Sequence, residues 1–370
     1  MKRIVLTGGP CGGKTTGKEY VREKLLNYGR SPIFVPEVAT LIIGCGLNPG
    51  ELSPEQYFEF QKLIFSTQMK FEDDIFLKAV EIKASKKPMI IMDRGLMDAK
   101  AYMTPEMFEA VLKDHGMDEV EARDKRYDGV FHLSTVADGK PELYSQANNP
   151  SRLEKTPEEA VSADHKTRNA WLGHPHLRVI DNSTDFDQKM NRLLNEIRRL
   201  LGDPVAIETE RSFVVHGGFQ LQKIPIPFKK IHIEQVYLKG KAGEESRIRR
   251  RSQEDAGSVY YETRKLPAIS AASRPENEWQ ISAREYASKL SLASPDHDIV
   301  RKNRFCFLYK NQYFELDRIL EPKRLFGLVR LEIELTEEND KVEIPDWLGK
   351  VEEVTGNPKW SNYELSRRPK

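Results

Sequence analysis

The feature that most constrains this chain stands near its start, where eight residues fit the pattern G-x-x-x-x-G-K-[ST]. They read Gly8-Gly9-Pro10-Cys11-Gly12-Gly13-Lys14-Thr15. An apolar run at residues 3–7 precedes them and residues 15–26 have a helical pattern, which is the context that a phosphate-binding loop requires. In such a loop backbone N–H groups cradle a polyphosphate, the lysine reaches its terminal phosphates and the threonine ligates Mg²⁺. We therefore predict a nucleotide site formed by Gly8, Gly9, Pro10, Cys11, Gly12, Gly13, Lys14, Thr15 and Thr16.

Length, charge and cysteine content narrow the class of protein. A chain of 370 residues predicts about two domains, and 58 Lys and Arg against 57 Asp and Glu give no overall basic field of the kind that binds nucleic acid. The cysteines Cys11, Cys45 and Cys306 form no C-x-x-C pair, which favours a reducing, cytoplasmic setting. No apolar run has the length of a transmembrane segment, so we expect a soluble protein, with peripheral membrane contact left open.

The first half alternates strand-like and helical patterns, which predicts a doubly wound α/β domain with a parallel sheet over residues 1–203. The predicted strands are residues 3–7, 31–35, 89–93, 129–133 and 177–180. Ser53, Pro54 and Gln56 have the pattern of a capping box with proline at the first helical position, so a helix should run from there to about Lys83. The last helix of this half, residues 184–201, ends before Pro204, where we place the domain border.

Residues that directly follow these strands are the candidates for catalysis, because ligands of such sheets bind at the carboxyl ends of the strands. Asp93 should complete the Mg²⁺ site with Thr15, and Arg94 should touch substrate. Glu37 is predicted to bind or deprotonate an acceptor hydroxyl, with a capping or solvated role as the alternative.

A second group of candidates comes later in the domain. Arg152 and Arg168 are predicted to close over the phosphates as a lid and to neutralise charge in the transition state, unless Arg168 simply pairs with Asp164 one helical turn before it. Asn182 follows the last strand and is predicted to contact the nucleotide base.

Beyond residue 203 the pattern changes to extended segments, which predicts an antiparallel barrel over residues 204–370. The segments are 207–215, 231–238, 244–251, 259–266, 276–281, 300–308, 312–319 and 328–335, and residues 268–275 are predicted to form a loop. Period-two spacing puts several charged sets on single strand faces, namely Glu208 and Glu210, then Arg247, Arg249 and Arg251, then Glu276 and Glu278, and finally Glu332 and Glu334. Facing inward, they would offer arginines to phosphates and carboxylates to a divalent cation; facing outward, they would pair with neighbouring strands.

This second half resembles the CYTH, or triphosphate tunnel, family. The resemblance rests on Glu208-x-Glu210, Arg249 and Arg251, Thr263-Arg264-Lys265, Arg274-x-Glu276-x-Glu278, Asp317 and Glu332-x-Glu334. It implies an α+β domain built on an eight-stranded antiparallel tunnel that binds a triphosphate with Mg²⁺ or Mn²⁺, the metal on Glu332 and Glu334. Its ligand residues would be Glu208, Glu210, Arg247, Arg249, Arg251, Lys265, Arg274, Glu276, Glu278, Arg301, Arg304, Asp317, Glu332 and Glu334. The family opens with E-x-E-x-K, and here Ser212 holds the lysine position, which puts triphosphate hydrolysis in question.

The whole chain resembles the TRPL translocation defect protein family, which joins a kinase-like P-loop domain to a CYTH domain. Shared features include Asp93-Arg94-Gly95 and Trp171-x-Gly173-His174-Pro175. The resemblance implies binding of GTP and phosphatidic acid and a role in protein trafficking. We therefore predict Mg²⁺-dependent binding of ATP or GTP with hydrolysis or phosphoryl transfer, and a phosphorylated ligand in the barrel. The alternatives are a non-catalytic regulatory protein that binds GTP and phosphatidic acid, and a small-molecule kinase similar to nucleoside kinases.

Overall fold

The computed structural model describes residues 1–84, 87–145, 154–203, 206–217, 219–220, 222, 224–240 and 243–369. They form two compact units, Met1–Asn195 and Glu196–Lys370, and each unit has a sheet of its own. The border that the sequence predicts between residues 203 and 204 stays a prediction. Over the described part of the chain, no helix is both long and apolar enough to cross a membrane.

The first unit is a five-stranded parallel sheet with helices between its strands. The strands are β1 (Lys2–Thr7), β2 (Ile33–Val35), β3 (Met89–Asp93), β4 (Gly129–Leu133) and β5 (Leu177–Ile180), in the spatial order β2-β3-β1-β4-β5. The helices are α1 (Lys14–Asn27), α2 (Val38–Gly44), α3 (Pro54–Lys70), α4 (Phe76–Lys83), α5 (Pro105–Asp114), α6 (Pro157–Ala170) and α7 (Phe186–Leu200). Every residue of β3 and β4 is buried, as expected for parallel strands covered on both faces. The predicted doubly wound fold is confirmed.

The long helix that the sequence predicts up to Lys83 is interrupted. Its start follows the capping box, since Ser53 Oγ accepts from the Gln56 N–H at 3.3 Å and Gln56 Oε1 accepts from the Ser53 N–H at 2.9 Å. A π-helical turn, Phe71–Ile75, then separates α3 from α4. Inside that turn Glu72 is buried and accepts a hydrogen bond from Gln68 Nε2 at 2.7 Å.

The second unit is a closed antiparallel barrel. Its strands are β6 (Ile207–Val215), β7 (Phe228–Tyr237), β8 (Glu245–Ser252), β9 (Ser258–Lys265), β10 (Ser273–Ile281), β11 (Val300–Tyr309), β12 (Gln312–Glu321) and β13 (Val329–Glu334). They pair in the order β10-β9-β8-β7-β11-β12-β13-β6, and β10 pairs with β6 to close the ring. A short strand, β14 (Val351–Glu353), adds to β6, and α8 (Ala283–Lys289) and α9 (Asn362–Ser366) complete the unit.

This eight-stranded barrel is the architecture of the CYTH tunnel that the sequence predicts. One boundary was wrong: β10 already begins at Ser273, inside the loop predicted to extend to residue 275. Ser273 belongs to the strand because its register places it opposite Thr209 on β6, at the pair that closes the ring.

Opposite faces of the barrel strands have opposite chemistry. Phe305 and Phe307 on β11 belong to a buried apolar cluster outside the barrel, together with Leu316 on β12 and Leu331 on β13. Because side chains alternate along a strand, the residues next to these in sequence, such as Arg304 before Phe305, face the interior. The charged face of each strand therefore lines a tunnel and is not an exposed outer surface.

Candidate functional site

The glycine-rich loop of the first unit wraps tightly around the start of α1. Gly13 caps α1 with φ of 90°, and Gly8 has φ of 139°, so both lie in the region that favours glycine. A Cβ atom added to Gly8 would overlap the carbonyl oxygen of Leu133 at the end of β4. The motif glycines are thus required by the backbone and by its close packing on β4.

A buried aspartate, Asp164 on α6, holds this loop in place. Its Oδ1 accepts from the Gly9 N–H at 2.8 Å and from the Thr135 N–H at 3.0 Å, while Oδ2 lies 3.0 Å from Nε2 of His132. Burial would raise the pKa of Asp164, but His132 and the two backbone donors outweigh it and hold the pKa below its ordinary value. Asp164 therefore anchors the loop as an ionised carboxylate. Sequence reasoning considered it only as a partner of Arg168.

The cationic and N–H groups of the loop face a common space. Lys14 Nζ donates to the carbonyl oxygens of Gly8 and Gly9, both at 2.9 Å. Burial lowers the pKa of Lys14, and the nearby Arg94 adds to that effect. Thr15 and Thr16 are exposed at the start of α1, and the first turn of this fully described helix has no acidic residue. The arrangement favours an anion at this position.

A cavity of about 950 Å³ extends from this loop into the first unit. One part of its wall is polar and consists of residues 10–16, Lys18, Glu37, Thr40, Asp93, Arg94 and Asp98. Another part is apolar and includes Val38, Leu41, Ile43, Phe60, Ile64 and Phe65 from α2 and α3, and Leu96 after β3. The predicted residues of the loop, Glu37, Asp93 and Arg94 thus meet at one site.

Glu37 and Arg94 form an ion pair in this cavity. Arg94 Nε lies 2.6 Å from Glu37 Oε1, and Thr40 Oγ1 donates to Glu37 Oε2 at 2.7 Å. Burial would raise the pKa of Glu37, but the charges of Arg94 and Lys14 outweigh it and lower the pKa to about 2. Such a carboxylate is a weak proton acceptor, so the general-base role predicted for Glu37 does not fit this geometry.

Arg94 is fixed from several sides. It has φ of 70°, a conformation that few non-glycine residues adopt, directly after β3. Its Nη1 also lies 3.4 Å from Oδ1 of buried Asp98, whose Oδ2 accepts from the Gly95 N–H at 2.8 Å. Burial raises the pKa of Asp98. The side chains of Glu37 and Asp98 therefore hold the guanidinium in the cavity wall, and Asp98 was not among the residues predicted for this site.

Asp93 has one oxygen that the protein occupies and one that it leaves open. Its Oδ2 lies 2.7 Å from Lys18 Nζ on α1. Its Oδ1 is buried and has no hydrogen-bond partner among the residues that the structure describes. An unpartnered carboxylate oxygen in the cavity that Thr15 also lines fits the outer coordination of a hydrated Mg²⁺ bound to phosphates. Lys18 was missed because a helical lysine is ordinarily a surface residue.

Three further predictions have different outcomes. Asn182 donates both amide hydrogens to backbone oxygens, of Thr135 at 2.7 Å and Asp138 at 3.1 Å, and its Oδ1 accepts from buried Lys189 at 2.8 Å. Its side chain is thus engaged in holding the loop after β4, which argues against a contact with the base. Arg168 is buried and lies outside the cavity wall as far as the described residues define it, so the lid geometry is not seen. Arg152 lies outside the described residues.

The barrel interior contains cations and carboxylates in nearly equal numbers. The cations are Arg247, Arg249, Arg251, Lys265, Lys302, Arg304 and Arg330, and the carboxylates are Glu208, Glu210, Glu276, Glu278, Glu315, Asp317, Glu332 and Glu334. Most of the predicted tunnel residues therefore converge. Lys302, Glu315 and Arg330 were missed, although each stands two residues from a predicted partner on the same strand face.

These charges largely neutralise one another. On one side of the barrel Arg249 pairs with Glu278, and Lys265 pairs with Glu208 and, at 2.5 Å, with Glu276. On the other side Arg304 pairs with Glu315 and lies 2.7 Å from both Asp317 and Glu332. Asn362 of α9 accepts from Arg330 Nη1 at 2.8 Å and donates to Glu332 at 3.2 Å. The interior is an ion-pair network rather than a cationic channel.

Two of the buried carboxyl groups are crowded by others of like charge. Burial and the carboxylate of Glu332 raise the pKa of Glu210, and burial and the carboxylate of Glu208 raise that of Glu276. Ser212 Oγ donates to Glu210 Oε1 at 2.6 Å, which gives Glu210 a neutral partner where the family signature has a lysine. Arg211, next to Ser212 on the same strand, faces the other way and pairs with Glu353 at 2.6 Å.

The structure arranges three of the features predicted for the tunnel differently. Arg301 lies on the outer face, 44% exposed and paired with Glu234 at 2.8 Å, because it stands three positions from interior Arg304 and side chains alternate along a strand. Arg274 lies at the rim of the interior, where it pairs with Glu245 at 3.0 Å. Within the described residues no group of three or more His, Cys, Asp or Glu side chains is arranged to hold a metal ion, and Glu332 is engaged by arginines, so the metal site predicted at Glu332 and Glu334 does not fit.

Comparison with known proteins shows that one part of this chain matches a family model and that another part is similar to a curated protein. The sequence model of a family described as an AAA domain matches residues 3–189. An inorganic triphosphatase from Acetivibrio thermocellus is 35% identical over 97 residues, which are 26% of this chain and 59% of that protein, so the chain spans little more than half the length of this relative.

Two solved structures are also similar to parts of this chain. That of the inorganic triphosphatase NE1496 is 24% identical and covers 44% of this chain and 95% of that one, with a TM-score of 0.31. That of the PH1012 protein from Pyrococcus horikoshii OT3 is 19% identical and covers 35% and 80%, with a TM-score of 0.27.

Proposed function

Since the chain belongs to the AAA domain family, we propose that its first unit binds ATP or GTP on the glycine-rich loop and transfers the terminal phosphoryl group to a small acceptor. One observation carries the proposal: a single cavity joins the loop to the Glu37–Arg94 pair and to an apolar wall. Binding sites for single ligands measure about 300–1,000 Å³, so a volume of about 950 Å³ leaves room for an acceptor beside the terminal phosphates.

The chemistry fits the residues as they are held. Phosphoryl transfer has a loose transition state and depends on positioning and charge neutralisation more than on a strong base. Lys14 would neutralise the terminal phosphates, and Arg94 would bind the transferring group or the acceptor. Glu37, with its pKa near 2, would keep Arg94 oriented rather than accept a proton. Hydrolysis is the same reaction with water in the acceptor position.

The residues also fit Mg²⁺. Thr15 Oγ1 and the unpartnered Oδ1 of Asp93 would hold the ion directly or through its water molecules. When bound, Mg²⁺ supplies charge neutralisation on the phosphates. In this site Lys18 shares Asp93 with the ion, so the protein's own cation balances the carboxylate before a nucleotide arrives.

For the barrel we propose binding of a phosphoanion such as a triphosphate, without a commitment to hydrolysis. The arginine row Arg247, Arg249 and Arg251 and the likeness to an inorganic triphosphatase support it. Ser212 at the usual lysine position and the paired state of Glu332 argue against turnover. Phosphatidic acid would offer the same phosphate chemistry and is the lipid alternative.

The test compares Lys14→Ala with Lys24→Ala, a lysine near the end of the same helix and 37% exposed. Calorimetry measures binding of ATP and GTP with Mg²⁺, and phosphate release and phosphorus NMR with hydroxyl-bearing acceptors measure turnover. We expect Lys14→Ala to weaken nucleotide binding on the order of 100-fold, because charge-assisted hydrogen bonds contribute about 1.5–3 kcal/mol each. Lys24→Ala should match wild type.

The result distinguishes the proposed reactions. A phosphorylated acceptor identifies a kinase, and free phosphate alone identifies a hydrolase. Nucleotide binding with neither product would favour the regulatory alternative, with phosphatidic acid vesicles as the next ligand. Equal affinities of Lys14→Ala and wild type would reject the proposal.

A further inference from the structure

We propose that Phe186 is the platform on which the nucleotide base stacks, and that the site consequently accepts ATP and GTP with similar affinity. The inference rests on the proposed nucleotide-binding function and adds the residue that receives the base. Phe186 is the first residue of α7, lines the cavity and is 48% exposed. A Cβ atom added to Gly13 would lie 3.1 Å from Cε2 of its ring, so the ring borders the glycine-rich loop.

The sheet order determines which way a bound nucleotide runs. The charges that act on Lys14 come from Arg94, Glu37, Asp93 and Asp98, all of which follow or end β2 and β3. Because Lys14 addresses the terminal phosphates, these lie on the β2–β3 side of β1. The opposite side of β1 holds β4 and β5. The base must therefore extend toward the segments that follow β4 and β5.

On that side the cavity wall contains apolar side chains that are exposed to solvent. It contains Val136 and Leu143, which follow β4, and Phe186, which follows β5. Leu143 is 59% exposed, so two large apolar side chains of the cavity rim, Leu143 and Phe186, lie largely open to solvent. A flat aromatic base that covers them would remove this apolar surface from water and give the ring of Phe186 a stacking partner.

Two polar side chains directly after β5, Asp181 and Asn182, are engaged elsewhere and have little left to discriminate between bases. The hydroxyl of Thr184 has no hydrogen-bond partner among the described residues, but Thr184 does not line the described cavity wall. Asp181 Oδ1 accepts from Ser183 Oγ at 2.6 Å and from Arg192 Nη1 at 2.8 Å. Asn182 is bound to Thr135, Asp138 and Lys189 as described above. Stacking tolerates every base because each has a π face, whereas discrimination needs side-chain or backbone hydrogen bonds to the base edge. We therefore expect weak selectivity between adenine and guanine.

The experiment measures the affinities of Mg²⁺ complexes of ATP, GTP and tripolyphosphate for wild type, Phe186→Ala, Phe186→Trp and Lys14→Ala. Binding to Lys14→Ala is subtracted as the contribution of the barrel. The matched control is Tyr28→Ala, an aromatic side chain also 48% exposed, at the other end of α1. Wild type should bind ATP and GTP within about threefold of each other. Phe186→Ala should weaken both by roughly 5- to 100-fold and leave tripolyphosphate unchanged.

Phe186→Trp supplies an independent readout. It should retain affinity, and the fluorescence of the introduced indole should be quenched by ATP and GTP but not by tripolyphosphate. Unchanged nucleotide binding in Phe186→Ala, an indole that does not respond, or a wild-type preference above about tenfold for one purine would each overturn the inference. If Lys14→Ala still binds nucleotide like wild type, the proposed function itself fails. If only the Phe186 variants behave like wild type, the proposed function stands and this inference alone is rejected.

Discussion

The two units hold their charged groups in opposite ways. In the glycine-rich loop the groups that would meet an anion are backbone N–H groups and one lysine, and the carboxylate that organises them, Asp164, points to the back of the loop. In the barrel the arginines meet carboxylates directly, as Arg304 does with Asp317 and Glu332, both at 2.7 Å. The first site is built around a cavity, and the second is built around ion pairs.

This difference has an energetic consequence. Backbone N–H groups that the fold holds in place can donate hydrogen bonds to a phosphate without losing another partner. A phosphoanion in the barrel has to compete with carboxylates for each arginine, and the displaced carboxylates then need protons or cations. Burial and neighbouring carboxylates raise the pKa of Glu210 and of Glu276, which favours the uptake of protons by these two groups. We expect anion binding in the barrel to be tighter at lower pH, whereas the loop site needs no such exchange.

The largest expected effect follows from breaking the barrel network at its centre. Arg304→Ala would remove the cation shared by Asp317, Glu315 and Glu332. Lys302 would still pair with Asp317 and Arg330 with Glu332, but Glu315 would lose the cation it pairs with, and breaking a buried ion pair in this way costs about 3–5 kcal/mol. Hydrogen exchange of peptides from β11 and β12, followed by mass spectrometry, measures the free energy of opening there. We expect a loss of that size in the barrel.

The matched control for this change is Arg301→Ala on the same strand. Arg301 is 44% exposed and pairs with Glu234 and Glu321 on the outer face, where ion pairs contribute about 0–1 kcal/mol. Equal losses of stability for Arg304→Ala and Arg301→Ala would contradict a structural role for the interior ion-pair network. The contrast between the barrel and the glycine-rich loop would then be weaker.

In the first unit, the Glu37–Arg94 pair can be tested through the pH dependence of the free energy of unfolding. A carboxyl group whose pKa falls from 4.5 to about 2 on folding contributes stability that is fully present above pH 4.5 and is lost as the pH falls through 2. Glu37→Gln should therefore lower the free energy of unfolding by about 1–2 kcal/mol, constant between pH 7 and pH 5, with the difference shrinking below pH 4.5. Urea titrations across this range measure it.

Glu23→Gln, an exposed change on α1, should show no such difference at any pH. A Glu37→Gln effect that already declines between pH 7 and pH 6 would mean that Glu37 titrates near neutrality, and the general-base role predicted from the sequence would return.

Much of this fold was readable from the sequence because its signals are local. The parallel strands lie within two residues of their predicted ends, and the barrel strands within three, since alternation of apolar and polar residues marks a strand directly. The resemblance to the CYTH family implied that Arg304, Asp317 and Glu332 are ligand residues of the tunnel, and strand parity places all three on the interior face. The same parity would have found Lys302, Glu315 and Arg330, had it been applied to every residue of those strands.

The parts that could not be predicted depend on contacts between distant residues. Nothing near Asp164 in sequence indicates that it binds Gly9, which is 155 positions away. Asn182 lies where a contact with the base is expected, but its amide group donates both hydrogen bonds to backbone oxygens of the loop after β4. Glu37 lines the cavity, yet its protonation chemistry is decided by Arg94, 57 residues later. Position after a strand predicts where a side chain is, and its partners decide what it can do.

The smallest expected effect comes from a change that would make the barrel interior more favourable for an anion, as the glycine-rich loop already is. Ser212→Lys would add a cation beside Glu210 and opposite Glu332, at the position where the CYTH signature has lysine. Because one more cation shifts the charge balance of the interior toward anion binding, tripolyphosphate should bind about three- to tenfold more tightly, a gain near 1 kcal/mol. Calorimetry with Ser212→Ala as the control measures it, and Ser212→Ala should differ little from wild type. If Ser212→Lys does not bind tripolyphosphate more tightly, the new lysine pairs with Glu210 and Glu332 and is not available to the anion. The affinity of the barrel for anions would then be limited by its ion-pair network and not by the missing lysine.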